Sequence, residues 1–413
     1  MKNLSVVTAL LFFVLSAIVS LSSHAESPPD AATLMMTAEP PLPVDVAEQE
    51  LLQVVAVIEQ KDWLAASRQT EKLIEAFPNF KLGTLLQKII TEQSSIPETR
   101  PFPLQPQEDE FLPKNLEAEL TLRRESLSDN NYAHNLLPRG ILRLGNEIRY
   151  VFVVDLKKSR FYVVKNDNPG LAVVADYYTG IGKQGIGKQH EGDHRTPVGI
   201  YTIVDYLADN RLPELYGVGA LPLDYPNPWD ERLGRTGSGI WLHGVPRGTY
   251  SRPPRSSRGC VTLSNHLFEA IRKLSIPGNT IVITEPDIEW QETGMRETAG
   301  AEINAVLEQW QQDWASLDFG KYISHYSPDF KTSRDDYQSW TARKRAVNSG
   351  KEFINVDLKN ISIFRYPGEE NLVQVNYRQH YRSNNFNNST DKIQYWRKNS
   401  DGRWQIVYEG SQG

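Results

Sequence analysis

The sequence predicts a mainly β central domain with a single helix, preceded by an α-helical hairpin and followed by an α+β domain. Three observations carry this. Apolar residues recur at i, i+3 and i+4 between residues 44 and 93. From Ile141 to about Pro286 the period changes to short β-rich runs separated by turn residues. From 298 to 413 one long helical stretch leads into several long strands.

The chain opens with a charged Lys2, an apolar run from Val6 to Leu21, and small residues at Ser23 and Ala25. Residues 1–25 therefore read as a secretory signal peptide. The alternative is an uncleaved anchor, but the run is shorter than the roughly 20 residues a membrane span needs. An exported protein with no integral span in the mature chain is expected. Residues 26–43, rich in Pro and Ala, read as a tether. Residues 44–93 resemble one tetratricopeptide-like hairpin, with Trp63, Ala66 and Leu73 on its paired faces and Pro78 ending it. A single unit of that kind cannot bury its own face, so it must pack on the next domain or on a partner. Residues 94–140 read as linker and helix: five prolines between 94 and 113, then an amphipathic stretch near Leu116–Arg124.

In the central region, 141–286, β-rich runs are legible in "IRYVFVVD", "RFYVVKND", "GLAVVADYY", "TPVGIYTI", "GIWLHG" and "NTIVITEP". One helix, "NHLFEAIRKLSIPG", lies between the last two, with Ser264 or Asn265 as its cap and Gly278 closing it. In 298–413 the aromatics Trp310, Trp314, Tyr322, Tyr326, Tyr377, Tyr381, Trp396 and Trp404 serve either a core or a pocket.

The 413 residues carry a net charge of −6 and no dominant basic block, so no nucleic-acid partner is expected. His190 and His194 form an H-x-x-x-H pair, but Gly192 and the following Thr-Pro argue against a helix there, and no metal is expected. No glycine-rich phosphate loop follows a strand, and no cofactor is expected.

The chemistry converges on Cys260, the one cysteine in the chain. Exported thiols usually pair as disulfides, so a lone one is either inert or reactive. His243 stands 17 residues before it, at the end of a predicted strand. A lone histidine there could be structural, but an imidazole in contact with a thiol lowers its pKa and holds its proton. Gly259 lets the backbone approach a substrate. The N–H groups of Arg258, Gly259 and Cys260 can form an oxyanion site, with Ser257 orienting the turn. Arg247, Arg252, Arg255 and Arg258 lie between His243 and Cys260 with no acid among them. They are either a carboxylate clamp or a solvated basic loop. The stretch Tyr225–Gly239 reads as a loop or lid, with Trp229 as a cleft wall or a core aromatic.

"HG" at 243–244, "SRGCV" at 257–261, "LSN" at 263–265, "GDHRTPVGIYTI" at 192–203 and "YYTGIGK" at 177–183 together resemble the YkuD-type L,D-transpeptidases over about residues 147–285. The last region resembles the conical nuclear-transport-factor and SnoaL-like domains. "GCVTLSN" with such a domain is similar to cell-shape enzymes that trim peptidoglycan stems, some of them L,D-carboxypeptidases. The resemblance implies a periplasmic enzyme acting on tetrapeptide stems, with Cys260 as nucleophile, His243 as base and the Gly244 carbonyl orienting the imidazole. The thioester would pass to an amine, or to water in a carboxypeptidase. Arg258, Arg255, Arg252, Arg247 and Trp229 are the expected substrate contacts, Arg258 foremost by position. The sequence departs from the family pattern at Arg258, where many members have His, and at Thr262, where many have Arg or Asn. A non-catalytic wall-binding scaffold is the rival reading, and a homodimer through residues 298–413 is the expected self-association.

Overall fold

The structure, a computed structural model, describes residues 41–94, 114–126, 136–167 and 170–412. The signal-peptide segment, almost all of the tether and the proline-rich run lie outside the described residues. Among the described residues, no helix is long and apolar enough to cross a membrane.

The N-terminal region is larger than a hairpin. Helices α1 (Val46–Glu59), α2 (Trp63–Ala76) and α3 (Lys81–Ser94) pack in sequence, and α4 (Lys114–Glu125) closes on α1 and α3. Asp45 and Asp62 cap the first two by accepting from the N–H groups of Glu48 and Ala65. Ala66 and Leu73 are buried with Leu51, Val54 and Leu86 in one core, whereas Trp63 sits at its margin. The unit docks on the central domain through Tyr250, whose ring meets Phe77 at 5.6 Å and Phe80 at 4.8 Å.

A buried charge cluster fastens the same joint. Arg123 of α4 is 1% exposed; it reaches Glu48 at 2.8 Å and Glu119 at 3.0 Å, and its guanidinium carbon lies 3.9 Å from the Tyr178 ring centre. Arg160 of the central domain joins Glu48 at 2.8 Å and Asp176 at 2.7 Å. Burial alone would neutralise these groups; the opposite charges around them keep both guanidinia ionised.

The central domain is built on a mixed five-stranded sheet. Its members are β3 (Tyr150–Asp155), β4 (Arg160–Asp167), β5 (Gly170–Tyr178), β7 (Gly199–Thr202) and β13 (Ile281–Glu285), in the order β5-β4-β3-β13-β7. β3 and β13 are parallel neighbours; the other pairs are antiparallel. β3 is buried throughout because both sheet faces are covered. The two-residue period sorts its side chains between two cores. Phe152 and Val154 face the active-site side, with Leu242, Val261 and Phe268. Val151 and Val153 face the C-terminal domain, with Phe364, Tyr395 and Val407. On the active-site side lies a small sheet of β8 (Leu207–Ala208), β9 (Gly219–Pro222), β10 (Trp241–His243) and β12 (Val261–Thr262). β6 (Ile181–Gly182) pairs with β11 (Arg255–Ser257). Helix α6 (Asn265–Leu274) buries Leu267, Phe268 and Ile271 on one face.

The C-terminal domain starts with α7 (Thr293–Ala315) and the short α8 (Phe319–Ser324) and α9 (Tyr337–Asn348). These cover a sheet of β15 (Tyr326–Lys331), β16 (Ile354–Arg365), β17 (Leu372–Ser383), β18 (Asn387–Lys398) and β19 (Trp404–Ser411). Trp310, Trp314, Tyr322, Tyr326, Tyr377, Tyr381 and Trp396 are buried in its core, and Trp404 packs at the margin.

The boundary expected at Ile141 shifts. β2 (Ile141–Arg143) pairs with β16 and extends the C-terminal sheet. β1 (Leu137–Pro138) pairs with β14 (Trp290–Gln291), so residues before the central domain are stitched to residues after it.

The stretch Tyr225–Gly239, expected as a loop or lid, is a loop with one short helix, and it ends at Gly239, whose carbonyl accepts from the Cys260 thiol at 3.4 Å. Helix α5 (Pro228–Arg232) opens with a capping box between Asn227 and Asp230. Trp229 is fully buried against Tyr395 at 5.3 Å and Tyr366 at 6.1 Å. It seals the joint with the C-terminal domain and forms no cleft wall. Its large apolar ring gains more from that contact than from half-exposure at a rim.

Candidate active site

Strand register brings Cys260 and His243 to one face, where the Cys260 thiol donates to the Gly239 carbonyl at 3.4 Å. β10 and β12 run parallel, with Leu242 opposite Val261 and His243 opposite Thr262. Side chains alternate, so Trp241 and His243 share a face, and Cys260, one place before Val261, projects to that face too. The Leu263 N–H donates to the His243 carbonyl at 3.0 Å and continues the ladder. Both residues are buried, at 8% and 2% exposure.

The imidazole is fixed by its own neighbour: Nδ1 of His243 lies 2.6 Å from the Gly244 carbonyl oxygen. That contact leaves Nε2 as the second ring nitrogen. Asn265, from "LSN", holds the following turn by accepting from the Val245 N–H at 3.0 Å. Gly244 has no room for a side chain, because a Cβ there would come within 2.3 Å of Asn265 Oδ1.

The turn before the thiol is closed by Ser257. Its hydroxyl donates to the Cys260 carbonyl at 2.6 Å and accepts from the Gly259 N–H at 3.1 Å. The Gly259 N–H is therefore not one of the oxyanion donors expected from sequence. Gly259 has φ +121°, and a Cβ would press on the Arg195 carbonyl at 2.8 Å and Ile240 Cδ1 at 2.9 Å. Thr196 accounts for the upstream "TPVG" signal: buried, it accepts from the Gly182 N–H at 2.9 Å and donates to the Gly259 carbonyl at 3.0 Å. Gly180 trades two backbone hydrogen bonds with Thr262, which ties "YYTGIG" to the strand that follows Cys260.

The electrostatics differ from the simple expectation of an activated thiolate. Burial pushes the Cys260 thiol up to about 11, against the opposing pull of the Trp241 N–H and the Arg252 and Lys188 charges. Burial pulls His243 down to about 4, with the Arg252 charge adding to it and the Gly244 carbonyl opposing. At rest the pair is a neutral thiol and a neutral imidazole. Desolvation outweighs pairing because both groups are sealed from water.

The arginines divide. Arg252 is half-buried, donates to the Ser256 carbonyl at 2.7 Å, and its charge acts on both Cys260 and His243. Arg258 is exposed and its charge acts on Tyr216. Arg255 is exposed beside Gly185. Arg247 is exposed and ion-paired with Asp209 at 2.5 Å and Glu214 at 2.8 Å.

Two neighbours carry no motif signal. The Tyr216 ring meets His243 edge-on at 4.9 Å and Trp241 at 5.0 Å, and burial, with Cys260 nearby, raises its hydroxyl above the ordinary tyrosine value. Lys188 is 3% exposed and is held by Asp193 at 3.0 Å and the His190 carbonyl at 2.9 Å. Asp193 also accepts from the N–H groups of Gln189, His190 and Arg195, so it organises the loop that bears the two histidines. Among the described residues no group of three His, Cys, Asp or Glu side chains could hold a metal ion.

A lone buried thiol just before β12 and a histidine on the neighbouring β10, in a β domain followed by an α+β domain, mark the class of protein. The L,D-transpeptidase catalytic domain family (YkuD) matches residues 149–283, and the Cds6 C-terminal NTF2-like domain family matches residues 302–410. Bd1075 of Bdellovibrio bacteriovorus is 30% identical, with a TM-score of 0.59 over 67% of this chain and 98% of that one. The helical cell shape determining protein Pgp2 of Campylobacter jejuni shares the fold at 24% identity and TM-score 0.57, over 68% of this chain and 98% of that one. A search of curated proteins found no match. The chain belongs to the YkuD L,D-transpeptidase family, with a C-terminal NTF2-like domain. It is thereby a peptidoglycan-modifying, cell-wall enzyme of that family.

Proposed function

We propose that the protein is an exported, periplasmic cysteine acyltransferase whose Cys260 attacks the carbonyl before the terminal D-alanine of a peptidoglycan tetrapeptide stem. The observation that carries this is the His243 ring, oriented by the Gly244 carbonyl on the strand beside Cys260. Neutral His243 takes the thiol proton as sulfur bonds to the carbonyl carbon. The tetrahedral oxyanion is met by backbone N–H groups of the turn, for which Arg258 and Cys260 are the candidates once Gly259 is bonded to Ser257. Collapse expels D-alanine, which takes the proton back from the imidazolium, and leaves a thioester on Cys260. An amine then takes the acyl group, giving a cross-link. Hydrolysis of the same thioester, which trims the stem to a tripeptide, is the alternative outcome. A role in cell shape is the physiological corollary.

The test is incubation of the protein and its Cys260→Ala variant with purified tetrapeptide muropeptides, read by mass spectrometry. A cross-linked dimer supports transfer to an amine, and tripeptide alone makes the enzyme a carboxypeptidase. No D-alanine release, or equal release by the variant, leaves a wall-binding scaffold.

A further inference from the structure

A groove of about 330 Å³ lies between α3 and α4 on one side and the 246–253 loop of the catalytic domain on the other. We infer that this groove holds the peptide stem of the acyl donor, so that helices outside the catalytic domain select the substrate. The inference rests on the function proposed above and deepens it.

The groove neighbours the chemistry through Arg252, which lines it, donates to the Ser256 carbonyl at 2.7 Å in the turn that leads to Cys260, and places its charge near both Cys260 and His243. Leu215 lines it too, immediately before Tyr216, whose ring rests on His243.

Its composition suits one occupant. Leu82, Leu116 and Leu215 give an apolar wall, with Leu215 43% exposed. Lys81 and Arg252 add two cations. Glu119, the one carboxylate in the lining, is turned to the protein: it accepts from Ser251 Oγ at 2.6 Å and from Arg123. The groove thus offers positive charge and apolar surface, which fits a peptide bearing free carboxylates. An acyl acceptor brings an amine, which Lys81 and Arg252 repel, so the donor stem is the better match.

The walls are also held in place. Glu119 fixes Ser251, the residue before Arg252, and Phe77 and Phe80 grip Tyr250. A preformed groove avoids the ordering entropy that a mobile one would cost.

The test is calorimetric binding of a tetrapeptide muropeptide to the full chain carrying Cys260→Ala, with and without a groove change. Lys81→Glu alters an exposed residue and should not affect folding; it is expected to weaken binding about fivefold. Leu116→Trp fills the apolar wall and is expected to weaken it about tenfold or more. On the Cys260 background, both variants should react with iodoacetamide at the wild-type rate, which shows that the site itself is intact. Unchanged affinity in both variants overturns the groove assignment, whatever the wild type turns over. Failure of the wild type to release D-alanine overturns the acyltransfer reading instead.

Discussion

The Thr196 hydroxyl donates a 3.0 Å hydrogen bond to the carbonyl of Gly259, the residue before the thiol. The two stand 63 positions apart in the chain. The bond holds a peptide whose φ of +121° only glycine adopts readily. Thr196→Val keeps the shape and removes the hydroxyl, taking a partner from both the buried Gly259 carbonyl and the buried Gly182 N–H. Turnover of muropeptide should fall by roughly 10- to 100-fold through misplacement of the nucleophile. Circular dichroism should be unchanged, and Thr196→Ser should restore most of the rate.

That contact also shows what could be read from the chain alone. "TPVG", "YYTGIG", "HG" and "SRGCV" were visible as motifs, and the thiol and imidazole could be assigned from them. The reason for Thr196 could not, because a side chain pinning a turn 63 residues away leaves no local period. Tyr216 and Lys188 were invisible for the same reason: each reaches the site from a loop whose path depends on tertiary packing. A Pro-rich loop with an aromatic reads alike whether it faces a cleft or a second domain, so the sequence leaves Trp229 open between wall and core, and the structure buries it. Ile141–Arg143 was read as part of the central domain because a three-residue strand carries no sign of which sheet it will join. The helix and strand periods of the larger elements survived, since each buries one face along its whole length.

Neutral Cys260 and neutral His243 make a definite pH prediction. The rate constant kcat/KM should rise as His243 loses its proton, with a midpoint near 4. It should then stay level through neutral pH, because the thiol keeps its proton until about 11. Alkylation by iodoacetamide needs the thiolate, so its rate should climb far above the range of an ordinary cysteine, about 8.5. A stopped-flow alkylation profile with a midpoint near neutrality would show a preformed ion pair and refute this. Arg252→Gln removes a charge that favours the thiolate and the neutral imidazole, so both midpoints should move up.

Arg123 is the centre of the joint between the helical unit and the catalytic domain. Removing it by Arg123→Ala leaves Glu48 and Glu119 buried with less counter-charge. The loss should be about 3–5 kcal/mol, the scale of a broken buried pair. Arg123→Met should cost less when combined with Glu119→Gln, because the carboxylate that Arg123 neutralises leaves with it, while Glu48 keeps Arg160. Urea unfolding followed by tryptophan fluorescence measures both, and equal midpoints for Arg123→Ala and wild type would show the cluster to be passive.

Glu285 pairs in register with Asp155 across β13 and β3, and is 8% exposed. Burial, with Asp155 and Glu289 adding to it, pushes its carboxyl up to about 8 from an ordinary 4.5. The folded state therefore holds a proton that the unfolded chain has already lost. The stability contribution is fully present below pH 4.5, declines as pH rises, and is gone above about 8. Glu285→Gln mimics the protonated form and carries no such loss. Its advantage over wild type should be small at pH 5 and grow to about 2–3 kcal/mol at pH 8, after allowance for relaxation around the ionised group. Thermal unfolding of both proteins across that range measures the difference. A gap that does not widen with pH would mean that Glu285 is already ionised in the fold, with Arg139 as its effective counter-charge.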